Sequence, residues 1–278
     1  MTTPQKPFNR WLVVVGAVLI QLALGAIYAW SVFTPQLTDP TGSYRFSASE
    51  AAWVFSTGLA TFALVMVLAG RWQARLGPRL LAILSGLTLG AGYLLGGLFG
   101  TTFWVQLLFV GVIGGAGIGL GYVVPIAVGV RWFPDRKGMV TGLAVAGFGF
   151  GATIWVQLAG SWFGGLLNTT NVLGLPGVQS VFVIYGLAFA VLVLAGSVVM
   201  VNPPEGYPPA GWTPPPAGIQ GHGGTISFHL ARDAAHAAVL CTVVGVHGVR
   251  SGRSDGDLLH QAVRHRRPAL PRRDRCRG

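Results

Sequence analysis

Charge is what this sequence lacks. Asp, Glu, Lys and Arg make up 10% of its 278 residues, where a soluble domain carries roughly 25%. So few charges cannot clothe a globular surface, which excludes an ordinary water-soluble domain. Cysteine and histidine are missing from the first 220 residues; Cys241, Cys276 and all six histidines come later. That leaves no disulfide framework and no metal-ligand cluster to argue from in this part. It also leaves no Ser/His/Asp or Cys/His set, so catalytic residues, a metal site and a cofactor are not expected, and neither is an enzyme. A cleavable leader is missing too. "MTTPQKPFNR" is followed by an apolar run far longer than a signal core, so the run is expected to stay as a first membrane helix.

What is present is oil and glycine. Hydrophobic residues reach 52%, and there are 42 glycines, as in membrane helices that pack closely. Crossing the hydrocarbon takes ~20 residues. Six runs qualify: Trp11–Phe33, Ala51–Gly70, Leu80–Phe99, Phe103–Val124, Met139–Phe163 and Val178–Val201. None alternates like a strand, and in lipid each segment must satisfy its own backbone, so all six read as helices. The fold class expected is an all-α integral membrane protein. Residues 1–201 form a six-helix bundle, 202–225 a Pro/Gly-rich linker, and 226–278 a basic, disordered tail. Lys6, Arg10, Arg71, Arg75, Arg79, Arg131, Arg136 and Lys137 fall on one side of these helices, and only Arg45 falls on the other. The positive-inside rule then puts both termini in the cytoplasm and the chain in the inner membrane as a multi-pass protein.

Small residues recur at helical spacing: Gly111, Gly115 and Gly119; Gly92, Gly96 and Gly100; Gly147 and Gly151. Such rows let backbones approach. "GGAGIGLG" looks like a phosphate loop, but it lies inside a span and follows no strand, so that reading fails its context test. The lipid bilayer is a partner by composition; nucleic acid is not expected.

No charged side chain lies well inside a span, so a proton relay of buried acids is absent from the six-helix part. The polar and aromatic exceptions are Tyr28, Trp30 and Ser31 in "GAIYAWSVF" and Tyr122 and Pro125 in "GLGYVVP". A buried tyrosine hydroxyl wants a partner. Tyr28 and Tyr122 therefore face either a polar pathway or an interfacial aromatic belt, and Trp11 and Trp104, at span ends, read as belt. Two basic turns stand out. One is "AGRWQARLGPR", with Gly70, Arg71, Arg75, Gly77 and Arg79; the other is "RWFPDRKG", with Arg131, Asp135 and Arg136. Asp135 is expected either to pair with Arg71, Arg75 or Arg79, or to sit among charges that serve topology alone.

"GRWQARLGPR" resembles the signature loop of the major facilitator superfamily. "YVVPIAVGVRWFPDRKGMVTGLAVAGFGFGA", with "NRW" and "GAIYAWSVF", resembles the oxalate/formate antiporter family within it. The resemblance covers about residues 1–215. It implies the N-terminal six-helix bundle of a carrier of small carboxylate anions that works by alternating access. Tyr28, Trp30, Tyr122 and Phe148 would line its cavity and the two turns would gate it. Ala74 stands where the superfamily loop has an acid, which removes an expected latch contact. The resemblance places the anion-holding basic residues in a second six-helix bundle, which this sequence does not show and which would be supplied in trans if at all. The other reading is a non-transporting six-helix scaffold or partner subunit with a basic cytoplasmic tail.

The tail breaks with everything before it. Seven prolines fall between Pro203 and Pro216, and residues 221–278 contain no Lys, Glu, Asn, Tyr, Trp or Met. That bias is what a GC-rich gene gives when read out of frame. Back-translated from Phe228 and shifted by one base, the tail permits "FTSREMLRTPQF" followed by an apolar run. A frameshift between about Gly218 and Phe228 in a truncated carrier accounts for this. The competing readings are an arm binding phosphate or anionic lipid, whose arginines lack aromatic partners after Phe228, and a short seventh helix at Ala234–Val249. Sequencing the encoding DNA is expected to reveal a neighbouring frame that continues into further apolar segments. A gene with no such frame ends the idea.

Overall fold

Heptad-like spacing of large apolar residues builds the core. Val13, Ala17, Ile20 and Leu24 recur at i, i+4, i+7 and i+11 and are all but fully buried; Val178, Phe182, Tyr185, Phe189 and Val193 do the same on the last helix. The computed structural model describes residues 9–169, 171–172 and 174–204. The chain divides into two units, Met1–Thr213 and Pro214–Gly278, and every described residue belongs to the first. The linker beyond 204 and the tail at 226–278 lie outside the described residues.

Six helices are long and apolar enough to cross a membrane: α1 Arg10–Leu37, α2 Ala48–Leu76, α3 Pro78–Phe99, α4 Phe103–Trp132, α5 Lys137–Gly160 and α6 Val178–Ser197. All six expected spans are present, and the described residues are nearly all helical. A two-residue antiparallel pairing, Asn171–Val172 with Leu175–Pro176, precedes α6.

The ends follow local chemistry. Ser47 accepts a bond from the Glu50 amide, and the Glu50 carboxylate accepts one from the Ser47 amide at 2.8 Å. This reciprocal cap starts α2 before Ala51, where the hydrophobic run begins. Gly77 stops α2 with φ +80°, a left-handed value that glycine tolerates, and Pro78 opens α3 at a position where a missing N–H costs nothing. The fourth span was expected to end near Val124; α4 runs on through Pro125 to Trp132. In a membrane bundle, neighbouring side chains make up for the freed backbone groups. Two stretches depart from ordinary α winding: a tighter 3₁₀ turn at Gly25–Ala29 in α1 and a wider π turn at Leu107–Gly114 in α4. The α1–α2 connection is folded in. Tyr44 and Phe46 are buried with rings 5.5 Å apart, and burial pushes the Tyr44 hydroxyl well above its ordinary pKa.

Helix contacts are made through glycine and through donors aimed at carbonyls. The row Gly111, Gly115, Gly119 on α4 faces the carbonyls of Val54, Gly58 and Phe62 on α2, itself an i, i+4, i+8 set. A Cβ on Gly115 would lie 2.5 Å from the Gly58 oxygen, closer than any side chain tolerates. Four side-chain bonds then pin helix to helix. The Ser85 hydroxyl donates to Gly117 O at 2.7 Å, the Trp155 indole to Leu22 O at 2.7 Å, the Trp30 indole to Ala51 O at 3.0 Å, and the Gln21 amide to Tyr122 O at 3.2 Å. The Tyr185 hydroxyl donates to Trp155 O as well. In hydrocarbon such bonds each contribute on the order of 0.5–2 kcal/mol.

Gly115→Leu is expected to cost the bundle about 1–3 kcal/mol or more through overpacking. Gly149, which has nothing within 4 Å of a built Cβ, should accept Ala with no loss. Thermal unfolding of both variants in detergent, followed by helical circular dichroism, checks the contrast.

Candidate functional site: an aromatic face and two basic turns

Four helices bring aromatic rings to one place. Tyr28 (α1) meets Phe148 (α5) edge-on at 5.6 Å, and Phe148 meets Tyr122 (α4) at 5.1 Å. Phe62 (α2) closes the set, 5.4 Å from Tyr122 and 6.5 Å from Phe148. Glycine makes this convergence possible: Gly25 lies directly against the Phe148 carbonyl, with no room for a Cβ. Tyr28 is 48% exposed. Neither its hydroxyl nor that of Tyr122 bonds to a described residue, so both remain available as donors.

Trp30 is turned the other way. Two residues on from Tyr28, it is buried, stacks 6.2 Å from Phe182, and spends its indole N–H on Ala51 O. Tyr28 and Trp30 do share an open cleft of about 240 Å³ between α1 and α2, with Ser31, Thr34 and Phe55 among its lining. Trp30 serves there as fixed wall, while Tyr28 and Ser31 supply the exposed hydroxyls. Of the four pathway residues expected from sequence, three therefore share one ring cluster and the fourth backs the adjoining cleft.

Two neighbours were not expected from sequence. Phe62 is one apolar residue in an apolar run and carries no signal. Gln21 does carry one, as an amide inside the first span. It is fully buried, donates to Tyr122 O, and keeps its Oε1 without a partner among the described residues. It thereby ties α1 to the turn of α4 that presents Tyr122, three residues before Pro125.

The basic turns separate. Asp135 was expected to reach Arg71, Arg75 or Arg79 if it paired at all; it pairs instead with Arg10 at 3.3 Å and its neighbour Arg136 at 3.7 Å. The reason lies in α1. Arg10 lays its guanidinium 4.7 Å over the Phe133 ring, and Trp11 packs on the same ring at 5.2 Å, which holds the start of α1 against the α4–α5 turn. Arg131 donates to Asn202 at 2.8 Å, and the Trp132 indole donates to Val201 O at 2.7 Å. This turn is thus tied to both ends of the bundle. Arg71, Arg75 and Arg79 make no ion pair among the described residues, with Ala74 in their midst. Gly77 forms the sharp turn between them; Gly70 lies in the last turns of α2 with nothing within 4 Å of a built Cβ.

Arg10→Ala and Asp135→Ala should each destabilise the bundle, and the double variant should add less than their sum. A coupling of about 0.5–1 kcal/mol is expected for a pair that is only partly exposed. Arg75→Ala should show no coupling to Asp135→Ala in the same unfolding measurement.

The model of the Major Facilitator Superfamily matches residues 14–249. The "Uncharacterized MFS-type transporter YhjX" of Escherichia coli strain K12 is 30% identical, over 74% of this chain and 48% of that protein. "Apicoplast pyruvate carrier 1" of Toxoplasma gondii is 29% identical over 56% of this chain and 36% of that protein. The "Oxalate:formate antiporter" of Oxalobacter formigenes is 26% identical over 70% of this chain and 43% of that protein. The chain spans less than half the length of each of these relatives. With a family match over most of its length and six helices of membrane-crossing length and composition, the chain belongs to the Major Facilitator Superfamily, a family of multi-pass membrane transporters rather than enzymes.

Proposed function

We propose that this chain is the N-terminal six-helix half of a secondary carrier of small carboxylate anions of the oxalate, formate or monocarboxylate type. It would work by alternating access in the inner membrane with both ends of the bundle in the cytoplasm. The observation that carries the reading is the aromatic face of Tyr28, Phe62, Tyr122 and Phe148, with two hydroxyls free to donate and basic side chains only near the ends of the described spans. Hydroxyl donors orient a carboxylate. They do not neutralise it, and an ionised group without a counter-charge at membrane depth costs several kcal/mol. The counter-charge therefore has to come from outside this unit, from a second six-helix bundle. Two of the relatives are, by their names, a pyruvate carrier and an oxalate:formate antiporter, which supports a carboxylate as cargo.

The half-length coverage of the relatives supports the same view, and a shifted reading frame after the linker would account for it. The family match reaches residue 249, past the break in composition at 226. The encoding DNA tells which of the two marks the end of the carrier sequence.

Uptake of labelled oxalate, formate and lactate into proteoliposomes tests the proposal. The 278-residue chain alone should take up none above protein-free vesicles. The chain continued in the shifted frame should transport at least one of them, and Tyr28→Phe in that longer chain should lower uptake about tenfold, the loss of one hydrogen bond to a charged group. Uptake by the short chain as a monomer, or none by the longer chain, would sink it.

A further inference from the structure

The α2–α3 turn holds charge that nothing among the described residues balances. Its segment Ala69–Arg79 contains three arginines and no acid. Arg75 sits at the mouth of an open groove of about 420 Å³. Trp72 and Leu76 of α2 form one wall, Leu84 and Thr88 of α3 the other, and Leu120 of α4 the floor. Trp72, Leu76 and Leu84 are 41%, 45% and 38% exposed, whereas Leu120 is 9% exposed. The groove therefore opens sideways and is closed at its base.

Its dimensions select an occupant. Thr88 lies ten residues into α3, about 15 Å from the turn at 1.5 Å per residue, which is half of a hydrocarbon core ~30 Å thick. A groove of about 420 Å³ that is open along its side and runs about this far suits one acyl chain laid along the helices. The chemistry is graded along the same axis. A guanidinium fork suited to phosphate stands at the mouth, an indole suited to the headgroup level stands beside it, and aliphatic side chains line the depth.

We propose that this groove is a binding site for a phospholipid with an anionic headgroup, its phosphate on Arg75 and an acyl chain along Leu84, Thr88 and Leu120. The site uses none of the aromatic face.

The full chain is reconstituted in phosphatidylcholine vesicles, and lipid brominated on its acyl chains is added. The fluorescence difference between the chain and its Trp72→Phe variant isolates the indole at the mouth. Brominated phosphatidylglycerol should quench that share at a mole fraction about fivefold lower than brominated phosphatidylcholine, the ratio that corresponds to about 1 kcal/mol for one basic residue at an anionic surface. Arg75→Gln should erase the preference at unchanged helical content, and Thr88→Phe, which fills the groove, should reduce quenching by both lipids. Should Arg75→Gln fail to fold, raising salt in the unsubstituted chain should shrink the preference. Equal quenching by the two lipids, a preference that survives Arg75→Gln or high salt, or a Trp72 shielded from both lipids in a chain that migrates as a dimer would overturn the assignment.

Discussion

Helices in lipid gain little by hiding apolar surface from one another, because the surrounding tails are equally apolar. Assembly has to come from close backbone approach and from polar bonds between helices. In this bundle the two occur side by side. The glycine row of α4 seats against three successive carbonyl turns of α2, and Ser85, Trp155, Trp30, Gln21 and Tyr185 each aim a proton at a carbonyl of a neighbouring helix. The aromatic face depends on this arrangement. Phe148 meets Tyr28 because Gly25 lets α5 come up against α1, and Tyr122 is held in place because Gln21 reaches its carbonyl.

The distribution of charge follows from the same medium. Nothing ionic lies well inside the spans, and every ion pair among the described residues is at the basic end of the bundle. There the two turns behave as opposites. The α4–α5 turn has an acid, and that acid captures Arg10. The α2–α3 turn has no acid between Arg71 and Arg79, and its arginines are exposed. The one acid, Asp135, thus separates a turn that closes on its own bundle from one that makes no ion pair among the described residues.

Much of this was legible in the residues. Six spans, their order and the glycine rows follow from hydrophobic length and from spacing of four, because both are local. The far end of the fourth span was not legible, since hydrophobic length stops at Val124 while α4 runs on through Pro125 to Trp132 in a bundle that supplies other donors. The partner of Asp135 was not legible. It depends on where the start of α1 comes to rest, which Phe133 decides from more than a hundred residues away. Tyr28 and Tyr122 could be named from pattern, and Phe148 from the family resemblance. Phe62 could not, because a phenylalanine among alanines and valines reads the same whether it faces a cavity or a lipid tail. Gln21 was legible in principle, as an amide in an apolar run, although attention to charge and aromaticity alone does not find it.

The five tightly wound residues Gly25–Ala29 have a geometric effect on everything beyond them. A 3₁₀ turn advances ~120° per residue against ~100° in an α-helix, so the five together twist the outer part of α1 by about 100° relative to its inner part. The two ends of the helix do not share one angular register. A helical wheel drawn through its whole length places Ser31 and Thr34 about a quarter-turn from where the backbone carries them. α1 is better drawn as two short wheels mounted on one axle, the inner one turned toward its neighbours' carbonyls and the outer one toward the cleft.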